Sequence, residues 1–189
     1  MLELINELRG DPTNIELRGV YADWLELDAD MPLHAAAVRA GNYLMVAAKY
    51  GDRATARVEL ADAIRAVRNV YASSGDYLGF NNGVIVRIRP TVELWREAGP
   101  SLVAAFPINR VGFECDDTVN PEHVDTGFCW REKGRYDFYK SSIPVEWFDR
   151  LAGGTRIGKI WPIRYYDTRG AAYRDLSQAA IGWAIDANR

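Results

Sequence analysis

The sequence predicts an α+β protein, with an N-terminal four-helix unit followed by a C-terminal α/β unit of strand–helix–strand segments. Three observations carry this expectation. Apolar residues recur at helical spacing through residues 1–72, the i, i+3, i+4 pattern of amphipathic helices. Beyond Gly79 the period falls to two: Val84, Val86 and Ile88 alternate with Ile85, Arg87 and Arg89, as in a strand with two unlike faces. Between them, Ser73-Ser74-Gly75-Asp76 has the composition of a linker. The division predicted is a helical domain over 1–75 and an α/β domain over 76–189.

Each element has its own warrant. Leu2, Ile5 and Leu8 make a short first stripe, stopped by Gly10-Asp11-Pro12. The second stripe is Leu17, Val20, Tyr21, Trp24 and Leu25, with Asn14 as its N-cap; this spacing places Trp24 in the core. Pro32 suits the start of a third helix, whose stripe is Leu33, Ala36, Ala37, Ala40, Leu44 and Ala47. A fourth helix, from about Arg53 to Tyr71, carries Leu60, Ile64, Val67 and Tyr71 on one face, flanked by Arg57 and Arg68.

After the strand at 84–89 comes a helical segment with Val92, Trp95, Leu102, Val103 and Phe106 inward. Gly99-Pro100 is expected to kink or split it. Residues 108–114 return as a strand, and 126–132 with 135–140 form a hairpin turning at Lys133-Gly134. Pro144 opens a helix through Leu151 that Gly153-Gly154 closes. Residues 160–167 are a strand, and a last helix from about Ala171 bears Tyr173, Leu176, Ala180, Trp183 and Ala187. Val92-Glu93-Leu94-Trp95 and Val145-Glu146-Trp147-Phe148 each precede an aromatic-Pro-Ile step, Phe106-Pro107-Ile108 and Trp161-Pro162-Ile163. This is a weak duplication of the leucine-rich-repeat kind.

Composition narrows the function classes. Of 189 residues, 48% are hydrophobic and 26% charged, and the formal charge is −3. Such a chain builds a core without staples and has no global field drawing it to nucleic acid or membrane. Two cysteines, Cys115 and Cys129, are too few for a disulfide framework. The N-terminus is acidic and amphipathic, unlike a signal peptide, and no run approaches the roughly 20 apolar residues of a membrane span. A cytoplasmic protein is expected.

The segment from Asp11-Pro12 through Val20-Tyr21-Ala22-Asp23-Trp24-Leu25-Glu26 resembles the repeat-companion domain of some large-genome bacteria, whose hallmark reads approximately DP…RLVYADWLEE. The following Gly-Phe, strand, helix and Phe106-Pro107-Ile108-Asn109-Arg110-Val111 is similar to the segment that often comes next, ahead of leucine-rich repeats. Together the two cover roughly residues 1–114. Two departures stand out. Thr13-Asn14-Ile15 replaces the usual acidic cluster, and a hairpin and one more βα unit stand where repeats would follow. The resemblance implies an accessory or interaction module and carries over no catalytic residue.

Several groups invite a chemical reading. Asp23 and Glu26 would need a further supporting group to act as an acid–base pair. Gly153-Gly154-Thr155-Arg156-Ile157-Gly158-Lys159 fits the first seven positions of a P-loop. A helix precedes it, however, and Ile160 stands where the Mg²⁺-binding hydroxyl belongs, so a helix stop is expected and Lys159 should hold no nucleotide. Cys115, His123 and Cys129, near Asp116, Asp117 and Glu122, lack the CxxC spacing of a zinc knuckle. His34, the other histidine, reads as a surface or internally satisfied residue. No catalytic, cofactor or metal site is assigned.

Arg87, Arg89, Arg110 and Arg164, with Tyr166, form a candidate nucleic-acid face, basic for phosphates and aromatic for bases. The competing reading pairs these arginines with carboxylates of covering helices, and the small net charge favours it. The leading expectation is therefore a non-enzymatic protein–protein interaction or scaffold module whose partner is another protein. The alternatives are a nucleic-acid-associated accessory protein, of mobile-element or defence type, and a small hydrolase with scattered carboxylates.

Overall fold

The computed structural model describes residues 1–50, 52–71, 77–113, 127–132, 135–140, 143–157 and 163–188. It is an α+β structure in which four helices precede the strands. The helices are α1 (Leu2–Gly10), α2 (Ile15–Leu27), α3 (Pro32–Tyr50) and α4 (Arg53–Val70). Then come β1 (Tyr77–Asn81), β2 (Val84–Arg89), α5 (Val92–Ala105) and β3 (Arg110–Val111). The remainder is β4 (Gly127–Glu132), β5 (Arg135–Lys140), α6 (Val145–Phe148), β6 (Thr155–Ile157), β7 (Ile163–Tyr166) and α7 (Arg169–Asp186).

The chain divides into two compact units, but the break is not at residue 75. The first holds Met1–Arg89 with Leu102–Asn109, and the second Pro90–Ser101 with Arg110–Arg189. The β1–β2 hairpin therefore belongs with the helices. Three hydrogen bonds show why 102–109 joins them as well. The Arg9 guanidinium donates to the carbonyls of Ile108 (2.9 Å) and Val103 (2.8 Å), and the Tyr21 hydroxyl to that of Ala105 (2.8 Å).

In the first unit, Ile5, Leu8, Tyr21, Ala22, Leu25, Ala35, Val38 and Val84 form one buried cluster. The α2 face is turned from the expected one: Arg18, Tyr21, Ala22 and Leu25 are buried, whereas Val20 is exposed and Trp24 only half-buried against the cluster. Among the described side chains of α3 the buried residues are His34, Ala35, Ala37, Val38, Gly41 and Ala47, with Leu33 and Ala36 outward. The α4 face at Leu60 and Val67 is as expected.

The β1–β2 hairpin turns on Asn82-Gly83, between the paired Asn81 and Val84. Both turn residues have positive φ, 45° and 89°, the backbone of the two-residue turn whose twist matches a hairpin. The turn lies directly on α3. A Cβ at Gly41 would meet the Asn82 carbonyl oxygen at 1.5 Å, and one at Gly83 the Ala37 carbonyl oxygen at 1.8 Å. Glycine at both positions is what permits the approach.

In the second unit, the four-stranded sheet has the order β5-β4-β7-β6. The β4–β5 and β6–β7 pairs are antiparallel and β4–β7 parallel. The expected hairpin is present, and its turn residues Lys133-Gly134 lie outside the described residues. Trp95 and Trp147 are fully buried. Trp95 donates its indole N–H to the Ala180 carbonyl, and Trp147 stacks on Phe113 with centroids 5.1 Å apart. Thr168 caps α7, its hydroxyl accepting from the Ala171 amide.

Three further expectations need correction. Pro100 sits inside one continuous α5 and does not split it. Of the strand expected at 108–114, the described residues, which end at 113, form strand only at Arg110–Val111; the buried Val111 amide donates to the Ser177 hydroxyl at 2.7 Å. The helix after Pro144 is a single turn, and Gly154 at φ 71° leads into the unexpected strand β6. The repeated segments thus build a 14-residue helix in one case and a 4-residue turn in the other, which does not fit duplicated units.

Candidate functional site

The segment Asp11–Glu26 shapes α2 from its entrance. The Asp11 carboxylate accepts from the Thr13 amide and hydroxyl, and the Asn14 side chain accepts from the Glu16 and Leu17 amides at 3.1 Å. These take up donors that a helix N-terminus leaves unpaired.

Arg18, from the same helix, is fully buried and faces no carboxylate hydrogen-bond partner among the described residues. Its guanidinium donates to Asn42 Oδ1, to the Pro12 carbonyl at 2.9 Å, and to the carbonyls of Val38, Asn81 and Asn82. Burial lowers its pKa to about 10. One cation thereby ties the turn before α2, the middle of α3 and the tip of the β1–β2 hairpin together. Its five donors match such a spread of acceptors, which a lysine's compact ammonium does not.

The motif's other polar groups are also engaged. The Tyr21 hydroxyl is raised in pKa, first by burial, and is held by the Ala105 carbonyl. Asp23 and Glu26 both pair with Arg39, at 2.9 and 2.6 Å, on the surface. The two carboxylates lie against a cation rather than against an acid–base partner. His34 is buried in α3, with Nε2 3.1 Å from the Tyr71 hydroxyl and its ring 5.5 Å from that of Phe106. It is internally satisfied, and burial lowers its pKa.

What α2 leaves outward is apolar and acidic by turns. Glu16, Val20, Asp23 and Leu27 recur at i, i+4, i+7 and i+11, one exposed stripe. Val20 is 58% and Leu27 80% exposed, with half-buried Trp24 beside them, its ring stacked 6.0 Å from that of Tyr21.

Of the candidate nucleic-acid residues, Tyr166 is the one placed against expectation. Arg87 and Arg89 are exposed on β2 and Arg110 is exposed on β3, while Arg164 and Tyr166 lie on β7. Tyr166 is buried, which removes it as a stacking platform. Its hydroxyl donates to the Asp175 carboxylate at 2.5 Å, and burial followed by that partner raises its pKa. Arg164 is half-buried, donates to the Gly153 carbonyl at 3.1 Å and lies 5.6 Å over the Phe148 ring.

Asp175 also settles the start of the P-loop-like segment. It accepts from the amides of Ala152 (3.1 Å) and Gly153 (2.9 Å), so those donors already hold an internal anion where a phosphate would need them. Lys159 lies outside the described residues, as do Cys115 and His123; of Cys129 only the backbone, in β4, is described. Among the described residues no three His, Cys, Asp or Glu side chains are grouped to hold a metal. None of the described helices is long and apolar enough to cross a membrane.

Two features escaped the sequence reading. The signal for the hairpin was available in Asn82-Gly83, a strong turn dipeptide. Arg18 had no such signal, since a lone arginine in an amphipathic helix ordinarily faces water. No family model, curated protein or solved structure matches the chain.

Proposed function

We propose that this chain is a non-enzymatic protein–protein interaction module whose docking surface is the outward face of α2. The carrying observation is the alignment of Val20 and Leu27, 58% and 80% exposed, on one stripe. Singly exposed apolar residues are ordinary. Here two share a helix face, interleaved with Glu16 and Asp23 and bordered by Trp24. Burying one such side chain against a partner returns roughly 1.5–3 kcal/mol. The engagement of Tyr21, Asp23 and Glu26 in internal contacts supports a structural role for the motif's polar groups. The likeness of Asp11–Glu26 to the repeat-companion hallmark, on this same helix, supports an accessory role.

The test is affinity purification from the native host with the intact chain and with Leu27→Asp, read by mass spectrometry. Proteins recovered with the first should be lost with the second, while circular dichroism stays the same. Identical recovery with both would overturn the proposal.

A further inference from the structure

We infer that the α2 face docks on the exposed face of α4 in a second copy of this chain. This rests on the docking surface proposed above and names its occupant. The argument starts from charge. Residues 1–30 carry eight carboxylates against two arginines, Arg9 and Arg18. Arg18 is buried and Arg9 is bonded to carbonyls; Arg39 of α3 pairs with Asp23 and Glu26, and the remaining carboxylates, Glu16 of the stripe among them, keep the α1–α2 surface presented to water acidic. Helix α4 has the opposite balance, with Arg53, Arg57, Arg65 and Arg68 against Glu59 and Asp62.

The apolar patterns match as well. On α4, Ala54, Val58, Ala61 and Arg65 recur at i, i+4, i+7 and i+11, all exposed, with Val58 61% so. Arg57 and Arg68 flank that stripe; Asp62 on its other side pairs with Arg65 at 2.5 Å. Thus α2 presents acid–valine–acid–leucine, and α4 presents small and apolar residues closed by arginines. Both helices pack on α3 and leave these stripes outward. Two stripes of the same period, with apolar centres and opposite charge, are what a helix-on-helix contact requires.

The contact is heterologous: each copy offers α2 to one neighbour and α4 to another. A single helix pair buries less than the roughly 1,200–2,000 Å² of stable interfaces. The association is correspondingly weak, on the order of 100 μM, and weakens with salt because its charges are exposed.

Sedimentation of the purified chain from a few to several hundred micromolar tests this. At concentrations near that dissociation constant, the weight-average mass should be about double that of the monomer, and it should fall toward the monomer's in 0.5 M salt. Leu27→Asp and the double variant Val58→Asp/Arg65→Glu should each stay monomeric, since each loses one face. Mixed in equal amounts, they should form a complex that stops at two chains, because one keeps α4 and the other α2. All three substituted side chains are exposed, and far-UV circular dichroism checks that the fold survives. A chain that stays monomeric throughout, a mixture that forms no pair, or association unaffected by Val58→Asp/Arg65→Glu would overturn the inference. A monomeric chain that still captures another protein through Leu27 would sink this inference alone and leave the docking surface standing.

Discussion

Replacing Arg18 with Met tests how the first unit is held together. The guanidinium is fully buried, and its shorter contacts go to Asn42 Oδ1 and the carbonyls of Pro12 and Asn82. Leaving three part-buried acceptors unpaired costs about 1–3 kcal/mol each, the upper end holding only where water cannot reach them. Against that, the substitution removes a cation whose burial has lowered its pKa from 12.5 to about 10, and each unit of such a shift is about 1.4 kcal/mol. The net loss expected is about 3 kcal/mol, or roughly 6–12 °C in thermal midpoint for a chain of this size. Arg18→Lys should do no better, because it keeps the cost of a buried charge without the fork that reaches both Pro12 and the hairpin tip. Thermal unfolding by circular dichroism gives the first number. Hydrogen exchange gives a second, since the Val84–Arg89 amides should lose protection ahead of the α4 amides when the tie is cut. A midpoint lowered by less than 2 °C, on the order of half a kcal/mol, would refute the reasoning, as would a fully rescued Arg18→Lys.

Other substitutions probe the remaining contacts. Gly41→Ala should cost 3 kcal/mol or more, on the order of an overpacked core, because its Cβ has no room beside the Asn82 carbonyl; Gly10→Ala, with open space around it, should be nearly neutral in urea unfolding. Trp24→Ala should cost about 1–3 kcal/mol, less than the roughly 3–5 of a fully buried tryptophan, since Trp24 is half-buried. His34 has its pKa lowered from 6.5 by burial, so the unfolded chain takes up its proton first as pH falls. The stability it contributes is complete above pH 6.5 and is lost as pH drops through 6.5 toward the folded value. His34→Gln should therefore flatten the fall in midpoint between pH 7.5 and pH 5, in roughly the range where an ordinary histidine titrates; an unchanged slope would contradict it. A labelled oligonucleotide at 150 mM salt should show no sub-micromolar anisotropy change, because the formal charge is −3 and buried Tyr166 offers no ring to stack a base; binding lost on Arg87→Ala/Arg89→Ala would revive the nucleic-acid reading.

Much of the fold was legible where one physical signal acts alone. Ile5 with Leu8 and Leu60 with Val67 announce their helices by spacing, Asn14 announces a cap, and 127–140 announces a hairpin. Legibility failed where partners distant in sequence decide. Val20 is apolar and Arg18 charged, so periodicity alone turns α2 the wrong way; the carbonyls of Asn81 and Asn82, more than 60 residues on, are what make Arg18 an inward residue. Strand β1 was hidden because its register shifts between Gly79 and Phe80, which spoils the alternation that marks a strand. Gly79 itself leaves room for the Arg87 side chain, whose Cβ a substituent there would meet at 2.8 Å. The burial of Tyr166 was hidden for a similar reason. Tyr166 reads as exposed until Asp175 of α7 is seen to hold its hydroxyl.

The proposal that the outer face of α2 docks another protein chain is tested most directly by photo-crosslinking in the native host. A photoreactive side chain at position 27 is compared with one at Gln178, an exposed position on α7. Defined protein adducts are predicted from position 27 and none of the same species from position 178. An absence of adducts at 27, or the same adducts from both positions, would contradict the account.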